Sequence, residues 1–451
     1  MSTPARSLQE EALALLGLYD EVPSESGEFS SNPQHSSPQE PLPSRPAKSH
    51  YVETVVVELR SPTLRSIWRS PGREKAILDL YQLQKQRGPL IEEIPEDPGS
   101  LLITFLYLGD DDTRAVSLTG GPLLMSSPLW RYGRTDVWFL TLPAPRDGTF
   151  AYNFSEECYE VRGGDEVVVQ VFDLLDELNP DHTNQGTSRL LMPLAKTQAE
   201  FTEARASVGQ VFENSIDSMT LGRRKRYDLY VPANLPPRGV AIFFDGESFA
   251  NGWPEQEIGP FMPAPQVLDG LIERGLLPPL LAVFVHAGST RDQDLLFNPA
   301  FADFLADELL PGVASSGSWA FGPERVVLVG ASFGGLCASY VALQRSDSFG
   351  AVLSMSGSFW VNGKDVEHDP LTFKEGGMQA AFLGEERLPI KFYLETGCYE
   401  IAEIVLTNRH LRDILISKGY DVIYREHPGN HDFTHWTIAT VNGLLALTGD
   451  W

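Results

Sequence analysis

Ser332 lies in Gly330-Ala331-Ser332-Phe333-Gly334, directly after the β-branched run Val326-Val327-Leu328-Val329 and directly before an apolar, helix-like stretch. A serine on a sharp turn between strand and helix presents its hydroxyl to an ester carbonyl, and the amide of the next residue, Phe333, can face the oxygen as it becomes negative. Gly330 and Gly334 flank this turn, where a Cβ is expected to strike the neighbouring strand or helix, and Gly335 lets the helix begin close to the sheet. A hydroxyl attacks poorly until a base takes its proton. Of the nine histidines, His431 in Gly429-Asn430-His431-Asp432 is the expected base, with His427 and His435 as second choices. The carboxylate that orients it is expected after the penultimate strand, where Glu400 is favoured over Glu395, although Glu400 also fits the first turn of the next helix. A second oxyanion donor is expected at Gly246 in Phe244-Asp245-Gly246, where glycine would let backbone approach substrate. Together these groups would carry out acyl transfer with no metal and no cofactor.

These loops need an open α/β sheet beneath them, because such sheets bind ligands beyond the carboxyl ends of their strands. From Arg226 onward the pattern gives strands at 227–231, 240–244, 281–286, 326–329, 351–354, 390–394 and 421–425, separated by helices at 266–274, 299–310, 335–344, 401–418 and 435–447. That alternation predicts a parallel sheet with right-handed crossovers. Residues 101–108, 115–118, 136–142, 149–154 and 166–172 are instead short β-rich runs closed by turn residues, which predicts an antiparallel β-sandwich. Upstream, the reading gives a short helix at 7–19, a Pro/Ser/Gln/Glu-rich disordered linker to Ser49, a strand at 51–59 and a helix at 70–86. The expected organisation is a tail over 1–49, a sandwich over 50–200 and a catalytic α/β domain over 201–451.

Composition narrows the function. A formal charge of −26 repels nucleic acid and anionic membranes, so an anionic substrate needs a local basic group. No apolar run reaches the roughly 20 residues of a membrane span. Three cysteines without a Cys-x-x-Cys pair predict neither a disulfide framework nor zinc, which makes the cytoplasm the expected compartment. Oligomeric state is not readable from the chain.

The segment from about Ser207 onward resembles the enterochelin (enterobactin) esterase family of the α/β-hydrolase superfamily, which cleaves ferric catecholate siderophores built on a tri-serine lactone. The resemblance rests on Phe244-Asp245-Gly246, Arg291 with Asn298, Glu308-Leu309-Leu310-Pro311, Gly330 to Leu336, Ser356-Gly357-Ser358-Phe359-Trp360, and Gly429-Asn430-His431-Asp432 with Trp436. Asp136-Val137-Trp138 and Asp176-Glu177-Leu178-Asn179-Pro180 resemble that family's amino-terminal domain, while the extension before Tyr51 falls outside its pattern. The resemblance implies Ser332 as nucleophile, His431 as base, and Arg291 and Trp360 as substrate-binding residues, with a small-molecule ester as substrate and iron arriving only as part of it. Arg291 also fits a structural ion pair within Arg291-Asp292-Gln293-Asp294, and Trp360 also fits the core. The acid varies among these enzymes, and a glutamate in this place is similar to that of mycobacterial mycolyltransferases, which favours Glu400. The alternatives are an esterase for a feruloyl or acetyl ester and a non-catalytic binding protein on the same fold.

Overall fold

The computed structural model describes residues 59–451 except 124, 163–165, 185, 196–208, 234, 253–257 and 363–376. The expected helix at 7–19, the linker to Ser49, nearly all of the strand at 51–59 and the boundary near residue 200 lie outside the described residues. The described residues fall within one compact unit, Pro46–Trp451.

Two antiparallel sheets come first. One has the order β1-β2-β6-β5, from Leu90–Glu93, Ser100–Leu108, Val137–Pro145 and Trp130–Arg131. The other runs β4-β3-β7-β8, from Ser127–Pro128, Thr113–Gly120, Thr149–Arg162 and Glu166–Leu174, with β9 (Ser188–Leu191) also paired to β7. Alternation along β2 sends Ile103 and Phe105 into a core shared with Leu118 of β3 and Phe150, Tyr152 and Phe154 of β7. The opposite face of the first sheet, through Leu106, Val137 and Phe139, packs under helices α1 (Pro62–Arg69) and α2 (Arg73–Gln84). Helix α1 was not expected, although Ser61-Pro62 carries its start signal: the Ser61 hydroxyl accepts the Leu64 N–H at 3.1 Å. The single helix expected over 70–86 begins only at Arg73, because Gly72 is left-handed at φ 75°. Asp176 is buried as an anchor here, accepting the Tyr152 hydroxyl at 2.7 Å and the Leu178 N–H at 2.9 Å.

The second part is an eight-stranded sheet ordered β10-β11-β13-β12-β14-β15-β16-β17. Its strands are Gln210–Ser218, Arg223–Val231, Leu280–Val285, Gly239–Phe244, Val326–Ala331, Ala351–Met355, Lys391–Gly397 and Asp421–His427 in that spatial order. Every residue of β12, β13 and β14 is buried, as central parallel strands covered on both faces must be. Side chains alternate between two cores. Val240, Ile242 and Phe244 meet Phe301 of α5 (Pro299–Asp303), Leu336 of α7 (Phe333–Gln344) and Leu411 of α9 (Ala402–Ser417). Ala241 and Phe243 meet Leu268 of α3 (Ala264–Glu273) and Leu444 of α10 (Phe433–Thr448). The remaining helices are α4 (Arg291–Leu295), α6 (Leu310–Ser316) and α8 (Gly377–Gly384).

The expectation of a wholly parallel sheet is corrected. Strand β10 pairs antiparallel with β11 from Gln210↔Val231 to Ser218↔Arg223, and β11 pairs antiparallel with β13. The turn Met219–Gly222 is too short for a crossover, so it makes a hairpin. Strand β12 lies between β13 and β14, both parallel to it, and this reversal of strand order opens the crevice in which an α/β sheet places its ligand.

Candidate active site

Ser332 follows β14 with φ 56° and ψ −120°, a backbone conformation rarely adopted by a residue with a Cβ. Its N–H is held by the Met355 carbonyl at 2.9 Å, and its own carbonyl accepts the N–H groups of Gly335 and Leu336 at 3.1 Å each, which starts α7 directly behind it. The glycines behave unequally. A Cβ on Gly330 would lie 2.3 Å from the Gly334 carbonyl, and one on Gly335 would lie 2.4 Å from Ser354 Oγ. Gly334 departs from expectation: its nearest neighbour would be Phe244 Cβ at 3.4 Å, an ordinary contact. The Ser332 hydroxyl lies 3.2 Å from Ser358 Oγ. At the N-terminus of α7 the Phe333 N–H belongs to the first turn, whose amides have no partner within the helix.

His431 precedes α10 and Glu400 precedes α9, and Glu400 Oε2 lies 2.6 Å from His431 Nδ1. Glu400 is 3 % exposed. Its other oxygen accepts the Gly397 N–H at 2.7 Å and the Ser356 hydroxyl at 2.5 Å, so Oε2 is left for the imidazole. The Trp436 indole N–H donates to Ser356 Oγ at 2.9 Å, which directs the serine proton toward Glu400. The Trp436 ring also meets the His431 ring edge-on with centroids 4.8 Å apart. A carboxylate accepts only, so Nδ1 carries the proton and Nε2 is left as the basic nitrogen.

Glu395 turns elsewhere. It is buried, hydrogen-bonds the Tyr393 hydroxyl, and burial raises its pKa. His435 Nε2 lies 3.9 Å from Glu395 Oε1, and the His427 and His435 rings stack at 4.5 Å. Burial holds His427 down to about 4 and His435 well below the ordinary value. Glu395, His427 and His435 are the group with metal-ligand chemistry among the described residues. Tetrahedral zinc at about 2.1 Å bonds holds its ligands about 3.4 Å apart, whereas His435 Nε2 and Glu395 Oε1 are 3.9 Å apart beside two stacked imidazoles.

Ser332 and His431 open on one cavity of about 910 Å³, also lined by Asp245, Glu247, His286 and Arg291. Gly246 lies in the turn after β12, where Asp245 has φ 54°. A Cβ on Gly246 would lie 2.4 Å from the Phe284 carbonyl carbon, so glycine is required by packing on β13. This packing requirement stands beside the substrate approach expected of it. Arg291 forks onto Asp245 through Nε–Oδ1 at 2.6 Å and Nη2–Oδ2 at 2.8 Å, and within its own segment its Nη1 lies 3.6 Å from Asp292 Oδ1, the ion pair the sequence allowed. Its guanidinium also lies 5.5 Å from the centre of the Phe333 ring. Trp360 packs against the core between β14 and α7 and is not among the described residues lining the cavity.

Four residues were missed. Ser356 and Ser358, in a stretch singled out only as a motif, orient Glu400 and approach Ser332. Asp228, inside an apolar strand, holds His286 Nε2 at 3.0 Å, and Glu247 accepts the Ala287 N–H at 2.9 Å. A charge interrupting Tyr227-Asp228-Leu229-Tyr230 was the available signal.

A mixed sheet, parallel from β13 through β17, with its reactive loops gathered past the strand ends over a cavity holding a strained serine, makes the protein an α/β-hydrolase. Residues 218–447 match the model of the esterase family, described as "Putative esterase", and the chain belongs to that family. The iron(III) enterobactin esterase of Dickeya dadantii is 27 % identical over 417 residues, covering 82 % of this chain and 92 % of that protein. The iron(III) enterobactin esterase of Escherichia coli K12 is 28 % identical, covering 68 % of this chain and 74 % of its own length. The enterobactin esterase structure from Shigella flexneri, crystallised in the presence of enterobactin, shares the fold with TM-score 0.65 at 24 % identity, over 82 % of this chain and 97 % of that one. No described helix is long and apolar enough to cross a membrane.

Proposed function

We propose that the protein hydrolyses the lactone esters of a ferric catecholate siderophore, releasing acylated serine units with weakened hold on iron. Ser332 Oγ attacks the ester carbonyl while His431 Nε2 takes its proton, and Glu400 stabilises the imidazolium that forms. The Phe333 N–H, with Gly246 as second donor, receives the oxyanion. His431 then protonates the departing serine hydroxyl, and water resolves the acyl-enzyme by the same steps in reverse order. The observation that carries this reading is the Glu400–His431 contact at 2.6 Å beside a cavity shared with Ser332.

The substrate class is supported by the enterobactin and salmochelin esterases among its relatives. A cavity of about 910 Å³ is near the upper end for drug-sized ligands. A ferric tris-catecholate carries several negative charges. Arg291 is engaged by Asp245, so exposed Arg226, which also lines the cavity, supplies the local positive charge. We place the reaction in the cytoplasm, supported by three cysteines that make no disulfide framework. Mass spectrometry of products from ferric enterobactin and neutral aryl esters tests the substrate: N-acylserine fragments are expected, and aryl-ester turnover with ferric enterobactin left intact would replace the siderophore by a general ester.

A further inference from the structure

We infer that the β-sandwich positions the catalytic base, acting through Asn430 and Thr149. The inference rests on the reading of His431 as base and adds a role for the first part of the chain. His431 lies on the segment from His427 to Asp432, which the sandwich grips at several points. Asn430 Nδ2 donates to the Gly121 carbonyl at 2.8 Å and approaches the Leu123 carbonyl at 3.4 Å. The Thr149 N–H donates to the Pro428 carbonyl at 3.0 Å, and Thr149 Oγ1 lies 2.6 Å from His427 Nε2. Beyond the base, the Ala151 N–H faces the Asp432 carboxylate, which caps α10 by accepting the Thr434 N–H at 2.8 Å.

The acid is held from the same side. Tyr399, adjacent to Glu400, packs against the sandwich core with its ring edge-on to Phe150 at 5.3 Å, and its N–H donates to the Gly429 carbonyl at 3.1 Å. The residues on either side of His431 and the residue before Glu400 are therefore fixed by contacts with β7 and the turn after β3. Fixing both flanks matters because a misplacement of about 1 Å costs on the order of 10²-fold in rate. Asn430 and Thr149 are positioning residues, since neither lies in the lining of the Ser332 cavity.

The test uses the full-length chain with a neutral p-nitrophenyl ester, which separates positioning from siderophore recognition. Asn430→Ala and Thr149→Val should each lower kcat by about tenfold or more with KM within about twofold. On a Glu400→Gln background, Asn430→Ala should add little further loss, since both act through the same imidazole. Thr149→Val preserves shape and gives a second reading if Asn430→Ala unfolds. Unchanged kcat in folded variants, or full additivity with Glu400→Gln, would overturn the inference. If Glu400→Gln itself left kcat intact, the underlying assignment of the base and acid would fail instead.

Discussion

Glu400 Oε2 lies 2.6 Å from His431 Nδ1, although the two residues are separated by helix α9 and strand β17. The contact distinguishes the two glutamates that the sequence offers. Replacing Glu400 with Gln should lower kcat by about 10²–10⁴-fold while leaving KM nearly unchanged, because the neutral amide no longer stabilises the imidazolium. Glu395→Gln should keep most of the activity, since Glu395 hydrogen-bonds Tyr393 and lies beside His435. Steady-state kinetics on both variants checks the pair, and the reverse ranking would exchange their roles.

The turn beneath Ser332 gives a steric prediction. Gly330→Ala places a methyl 2.3 Å from the Gly334 carbonyl, backbone against backbone, and should cost about 3 kcal/mol or prevent folding. Gly334→Ala meets its nearest neighbour at 3.4 Å and should change stability by less than about 1 kcal/mol. Urea unfolding of the two variants separates them.

Acid should weaken the fold through the stacked imidazoles. His427 is held down to about 4 by burial, so the unfolded chain binds more protons as the pH drops from 6.5 toward that value. Stability is therefore present above pH 6.5 and lost across that window, by an amount on the order of 3 kcal/mol. His435 acts in the same direction, whereas Glu395, with its pKa raised by burial, opposes them. His427→Gln should flatten the stability loss between pH 6.5 and 4, as followed by circular dichroism in urea.

Charge recognition separates Arg226 from Arg291. Arg226→Ala should raise KM for a ferric catecholate by about tenfold and leave a neutral aryl ester unaffected, because only the anion uses a charge-assisted contact. Added salt should reproduce part of this effect in the wild type. Arg291→Ala, which releases Asp245 from its fork, should impair both substrates.

The loops carrying Ser332, Glu400 and His431 were legible because each follows a strand the sequence marks, most plainly Val326–Val329 before Ser332 and more weakly Asp421-Val422-Ile423-Tyr424-Arg425 before His431. Strand β10 was missed because Gln210-Val211-Phe212-Glu213-Asn214-Ser215 is an edge with one wet face and weak alternation. Missing it also hid the hairpin with β11, one of the two antiparallel pairings at the start of the sheet. Helix α1 had a visible Ser-Pro start but was overshadowed by the similar Ser70-Pro71, which forms the break before α2. Arg291 and Trp360 show a different limit. Residue type announces a cation or an aromatic ring, but only packing shows that Arg291 pairs with Asp245 while lining the cavity and that Trp360, partly buried, packs against the core. Likewise, nothing near Asn430 in the chain signals that its partners are carbonyls more than three hundred residues earlier.

The most direct measurement is peptide mapping after treatment of the native protein with a fluorophosphonate, with Ser332→Ala in parallel. One phosphonylated peptide is expected, containing Val326 to Leu336 and modified at Ser332, absent in the variant and much slower to form in Glu400→Gln. An unlabelled wild type, or equal labelling after Ser332→Ala, would contradict it.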